Sequence, residues 1–168
     1  MKKYLLLVLI LLVGLGTAVW RAQDVKHQVS DKSNAAAVEA VKLKTPYVEI
    51  NGVNINVELA QTETGVQKGL SGRESLAADK GMLFIFNKPD YYRFWMPNMN
   101  FPIDIIWISQ NTIVGIHKNV SNQFDPANPK FYTPPRPVDR VLEVNAGFAQ
   151  KNNLKVGNPF NFVQGRPE

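Results

Sequence analysis

The sequence predicts a mainly β protein: a compact β-sandwich or barrel with one or two short helices, preceded by an N-terminal transmembrane helix. Three observations carry this expectation. Seven or eight short segments after Pro46 alternate apolar and polar residues, or form brief apolar runs, between Gly, Pro and Asn punctuation. No charge interrupts Tyr4 to Trp20. Between these regions, residues 21–44 are small, polar and charged, without one aromatic ring.

The chain divides accordingly into a cytoplasmic N-terminus (1–3), a transmembrane helix (4–20), a flexible linker (21–44) and a β-rich extracytoplasmic domain (45–168). A helix over Tyr4–Trp20 reaches roughly 25 Å, the lower limit for a bilayer core. Lys2 and Lys3 stay in the cytoplasm by the positive-inside rule, and Tyr4 and Trp20 suit the two headgroup levels. The lipid bilayer is therefore an expected partner through Tyr4 to Trp20, and the location a cell membrane, single-pass, with the domain outside. Gly16-Thr17-Ala18 supports the alternative of a cleaved signal and a secreted domain.

Within the domain, Tyr47–Ile50 and Val53–Leu59 alternate around Asn51-Gly52, a strong hairpin signal. Val53, Ile55, Val57 and Leu59 share the core face, and Asn54, Asn56 and Glu58 the other. Thr62 is an N-cap for a short helix toward Leu70. Gly81–Phe86 reads as a buried strand bounded by Gly81 and Pro89, and Arg93–Met96 as another strand. Ile103–Ile108 and Thr112–His117 form a second hairpin around Ser109-Gln110-Asn111. Arg140–Val144 is a strand, Asn145 caps a short helix, and Phe160–Val163 closes the domain. The loop from His117 to Arg140 carries five prolines; so long a loop usually has a task, and proline stiffens it.

Charge narrows the partners. Residues 1–44 hold seven basic and three acidic groups, whereas 45–168 hold 12 and 11. The domain is almost neutral and lacks the basic footprint of nucleic-acid binding. There is no cysteine and there are two histidines, neither at ligand spacing, so no metal and no cofactor is expected. No phosphate loop or dinucleotide fingerprint occurs. Ser71 fails the serine-elbow pattern, because Arg73 stands where Gly is required.

The unusual residues concentrate in Phe94–Trp107 and Gly69–Leu76. Trp95, Met96, Met99, Phe101 and Trp107 bring large apolar surface, with Asn98 and Asp104 set among them. Arg73 offers a bidentate fork for Asp104, for Glu143, or for an anionic ligand. Asp104 either caps a turn or, with Glu143, forms a carboxylate pair.

These motifs resemble one family. Gly69-Leu70 with Arg73, Gly81-Met82 with Phe84, Phe94-Trp95-Met96, Pro102 with Asp104, and Leu142-Glu143 with Gly147 follow in order the pattern of the domain of unknown function 192 family, over about Tyr47 to Phe162. The resemblance implies a compact β fold, a preceding signal or membrane segment, and no established reaction. One departure is Met99, where family members often carry Thr, so no hydroxyl role is implied there.

The function expected is a membrane-anchored domain binding a small molecule, glycan or peptide in an aromatic pocket. Arg73, Trp95, Met96, Asn98, Asp104 and Glu143 line it: Trp95 stacks on the ligand, Arg73 holds an anionic group, and Asn98 and Asp104 orient it. The alternatives are an envelope-polymer hydrolase using Asp104 and Glu143, and a scaffold in a membrane complex.

Overall fold

The computed structural model describes residues 45–165. The expected transmembrane helix, Tyr4–Trp20, lies outside the described residues. Among them no helix is long and apolar enough to cross a membrane.

The protein is mainly β with two short helices. In chain order the elements are β1 (Tyr47–Ile50), β2 (Val53–Ala60), α1 (Glu63–Lys68), β3 (Lys80–Asp90), β4 (Ile103–Ser109), β5 (Thr112–Val120), β6 (Val138–Asn145), α2 (Phe148–Lys151) and β7 (Asn161–Val163). Instead of two packed sheets, all seven strands join one mixed sheet in the order β5-β4-β6-β3-β2-β1-β7. The reason is the β2–α1–β3 crossover. It lays β3 parallel to β2, with Glu58 opposite Met82 and Ala60 opposite Phe84, and β6 then inserts between β3 and β4. The far edges approach each other: Ile113 N–H donates to Asn158 O at 3.0 Å, and Phe160 N–H to Asn111 O at 2.8 Å. The sheet thus curls into a half-barrel.

Local chemistry accounts for the turns. Asn51 and Gly52 both have positive φ (53° and 74°), as a two-residue hairpin turn with the strand's twist requires. Gln110 and Asn111 do the same between β4 and β5 (51° and 67°). Thr62 accepts the Gly65 N–H and starts α1. Arg93–Met96 forms only an isolated bridge, Phe94 with Tyr132; on one side of it the next ladder position falls on Pro134, which has no N–H.

Strand alternation sorts the core into two clusters. The inner one holds Ile55, Val57, Leu83, Ile106, Ile108, Leu142, Val144 and Phe160. The outer one holds Ala60, Met82, Phe84, Ile105, Trp107 and Val141, and is covered by Leu70, Met96, Met99 and Tyr132 from the loops. This second, loop-covered face positions the site.

Candidate functional site

Two loop segments that the sequence singles out are joined here. Ser71 Oγ donates to Pro97 O at 2.9 Å, Gly72 N–H to Asn98 O at 2.8 Å, and Asn100 Nδ2 to Arg73 O at 2.8 Å. These bonds hold the turn after α1 against the segment after Trp95. Between them and the outer face of β3 and β6 lies a cavity of about 210 Å³. Phe84, Phe94 and Trp95 wall it, Gly69 and Leu70 close one side, and Glu143 stands at its floor.

Each wall is set by packing. Phe94 meets Phe84 edge-on at 4.9 Å and Trp107 at 5.5 Å, and its backbone exchanges two hydrogen bonds with Tyr132. Trp95 is 48% exposed. It stacks on Phe131 at 5.6 Å and meets Phe124 edge-on at 5.7 Å, so the proline-rich loop backs this wall. That loop is pinned by Pro135 against Gly115, where a Cβ would approach to 2.9 Å. Gly69 has φ 49°, and a side chain there would come to 3.3 Å from Phe84 and 3.9 Å from Glu143 Oε2. A glycine therefore keeps this side of the cavity open.

Glu143 is 6% exposed. Its carboxyl accepts no hydrogen bond from the described residues, and burial alone pushes its pKa from 4.5 up to about 8. No fully enclosed side-chain oxygen among the described residues lacks a partner, so this carboxyl, though desolvated, opens onto the cavity, and that makes it the candidate functional group.

Asp104 contrasts with it. It is fully buried but saturated: Asn119 N–H (2.7 Å) and Gly147 N–H (3.2 Å) donate to Oδ1, and Ala149 N–H (2.8 Å) to Oδ2. It caps α2 from a neighbouring strand, the role expected of Asn145, whose amide instead donates to Leu76 O and Ala77 O. In register, Asp104 faces Val144 and Ile105 faces Glu143. The two carboxylates thus occupy opposite faces of the sheet, and the acid–base pair expected of Asp104 and Glu143 is not formed.

Arg73 pairs with neither. Its guanidinium donates bidentately to Glu58, at 2.6 and 2.7 Å, an outward-facing residue of β2. The hydrogen bonds hold the Glu58 pKa below its ordinary value and raise that of Arg73. Met96 is buried in the outer core. Asn98 is an exposed turn residue at φ 55° whose carbonyl serves Gly72. Of the six expected site residues, Trp95 and Glu143 line the cavity; Arg73, Met96, Asn98 and Asp104 do not. Phe84 and Phe94 are the walls that residue reasoning missed, although both stood in quoted motifs. Near the cavity, Trp107 Nε1–H donates to His117 Nδ1 at 2.7 Å. An indole only donates, so His117 is held neutral at that nitrogen, and burial lowers its pKa.

The model of the DUF192 family, described as uncharacterized ACR, COG1430, matches residues 47–162. Two crystal structures are similar. One is a protein of unknown function from Novosphingobium aromaticivorans DSM 12444, with 31% identity and TM-score 0.62, over 68% of this chain and 83% of that one. The other is a candidate transcription regulator from Sinorhizobium meliloti 1021, with 30% identity and TM-score 0.64, over 70% of this chain and 93% of that one. No curated protein matches.

Proposed function

The chain belongs to the DUF192 family, and on that premise we propose that its domain is a binding module for a small molecule, with the Glu143 cavity as its site. The single observation that carries this reading is the unpartnered carboxyl at the floor of a ring-walled cavity. A core position filled for stability alone would be apolar there, as Val141 and Ile105 on the same face are. Proteins retain such costly groups where function needs them.

The cavity sets the ligand's size. At about 210 Å³ it is smaller than the roughly 300–1,000 Å³ of sites for drug-sized molecules. One ring, such as a single sugar unit, or one peptide end fits within that volume. Trp95 would cover the inserted group, and Phe84 and Phe94 would bury its apolar side. Tyr4–Trp20 would tether the domain at the outer membrane surface, a reading supported by charge and length in the sequence. A role on nucleic acid is not carried over from the Sinorhizobium protein, because 12 basic and 11 acidic groups over 45–168 give no attractive field for phosphates.

The test is a thermal-shift screen with sugars, muropeptides, organic acids and amines. A ligand at 100 times its dissociation constant adds about 2.7 kcal/mol. Glu143→Leu and Trp95→Ala should each weaken the hits at least about tenfold while the protein still melts cooperatively, on the scale of a lost hydrogen bond to a charged group or a lost ring contact. Folded variants that bind every hit as the parent does would falsify the site.

A further inference from the structure

We propose that the cavity selects a protonated amine, with Glu143 as counter-ion and the rings of Phe84, Phe94 and Trp95 around the cation and its first carbons. This deepens the binding reading above and rests on it.

The argument is an inventory of donors. Ser71 Oγ is committed to Pro97 O, and Gln67 Nε2 reaches Glu63 at 3.5 Å. The Arg93 guanidinium sits 4.8 Å from the Phe131 ring centre. Lys68 is exposed at the end of α1. Among the described residues no Lys, Arg or His nitrogen lies within 4.0 Å of the Glu143 carboxyl. The floor therefore presents oxygens for which the protein supplies no donor. These oxygens reach the cavity, where solvent or a ligand serves them.

Three ligand chemistries compete. An anion requires the carboxyl to stay protonated and finds its attraction only at the rim, from Lys68 and Arg93. A hydroxyl brings one donor to a group that, once ionised, has about four acceptor sites. An ammonium brings three donors and a charge, and aromatic faces attract it by up to about 2 kcal/mol when it is desolvated. The other charged groups on this face are spent: Arg73 on Glu58, across Met82 from Glu143 in the sheet register, and His117, beyond Ile105, neutral against Trp107. Arg93 and Lys68 on the cavity lining, and Lys130 over the Tyr132 ring, oppose the cation; none of them pairs with Glu143.

On binding, Glu143 releases its proton to solvent and pairs with the ammonium; no covalent bond changes. Proton release is therefore the signature. Calorimetry on the full chain in detergent, in two buffers of different ionisation enthalpy, with cyclohexylammonium and the isosteric cyclohexanol as probes, reads it directly. An alkylammonium stays protonated from pH 6 to 8. With the carboxyl titrating at about 8, affinity for cyclohexylammonium should rise about 50-fold from pH 6 to 8, with about 0.9 proton released per site at pH 7. Glu143→Gln, which keeps shape and hydrogen bonding, should melt no lower than the parent, lose at least about tenfold in amine affinity at pH 8, and show a flat profile. Tighter binding of cyclohexanol than of the amine, a flat profile in the parent, or unchanged amine affinity in Glu143→Gln overturns the amine. If screen hits still weaken in Glu143→Leu and Trp95→Ala, the pocket survives that result; if they do not, both fall.

Discussion

Asp104 and Glu143 stand on adjacent strands, one register step apart, and are the two buried acidic residues of the described domain. On the inner side, Asp104 collects three backbone N–H groups and ties β5 and α2 to β4. On the outer side, Glu143 collects none and opens onto a cavity. The same functional group is a rivet on one face and an unfilled valence on the other. Burial by itself therefore says little about an acid's task; the donors around it decide.

Mutations can break that comparison. The largest effect is expected at Asp104. Asp104→Ala strands three N–H groups in the interior, at about 1–3 kcal/mol for each left unsatisfied. Urea melts should show about 4 kcal/mol lost, with Asp104→Asn recovering part of it. A loss below about 1 kcal/mol would mean that the bonds hold nothing together.

Glu143 should behave in the opposite sense. Its folded pKa, about 8, lies above the ordinary 4.5. Stability is then fully present below pH 4.5 and is lost as pH rises through 8, by about 1.4 kcal/mol per unit. At pH 7 this amounts to about 3 kcal/mol, which Glu143→Gln should restore while flattening the profile. Melting temperatures of parent and variant at pH 5 and 8 check it. If Glu143→Gln destabilises the protein, the carboxyl has a partner.

The smallest effect is expected at Arg73. Its bidentate pair with Glu58 lies at the surface, where such pairs contribute up to about 1 kcal/mol. Arg73→Ala should cost no more than that, less at high salt, and leave ligand affinity within about twofold. A larger loss of affinity than of stability would return Arg73 to the site.

Much of this fold is written locally. The alternation in Val53–Leu59, the left-handed pair Asn51-Gly52 and the Thr62 cap each depend on residues within a few positions, and all appear where expected. The site is less legible. Trp95 was readable as a large ring in the densest aromatic cluster, and Glu143 as an acid that Arg73 or Asp104 could meet. Phe84 and Phe94 read as ordinary core, because nothing local distinguishes a ring that lines a cavity from one that fills it. The Arg73–Glu58 pair joins residues 15 apart across the β2–α1–β3 crossover, and no pattern in either segment announces it.

The residues unaided determine seven strands of the sheet but not the status of Arg93–Met96, and with them the hairpin turns, the near-neutral charge of the domain and the family to which its ordered motifs point, since these are properties of short stretches or of sums. Which carboxyl would be satisfied was settled only in three dimensions. Side chains alternate with a period of two, so a single step of register between β4 and β6 would set Asp104 opposite Glu143 on one face of the sheet. That register comes from the packing of the whole sheet, and with it came three donors for one acid and an empty space for the other.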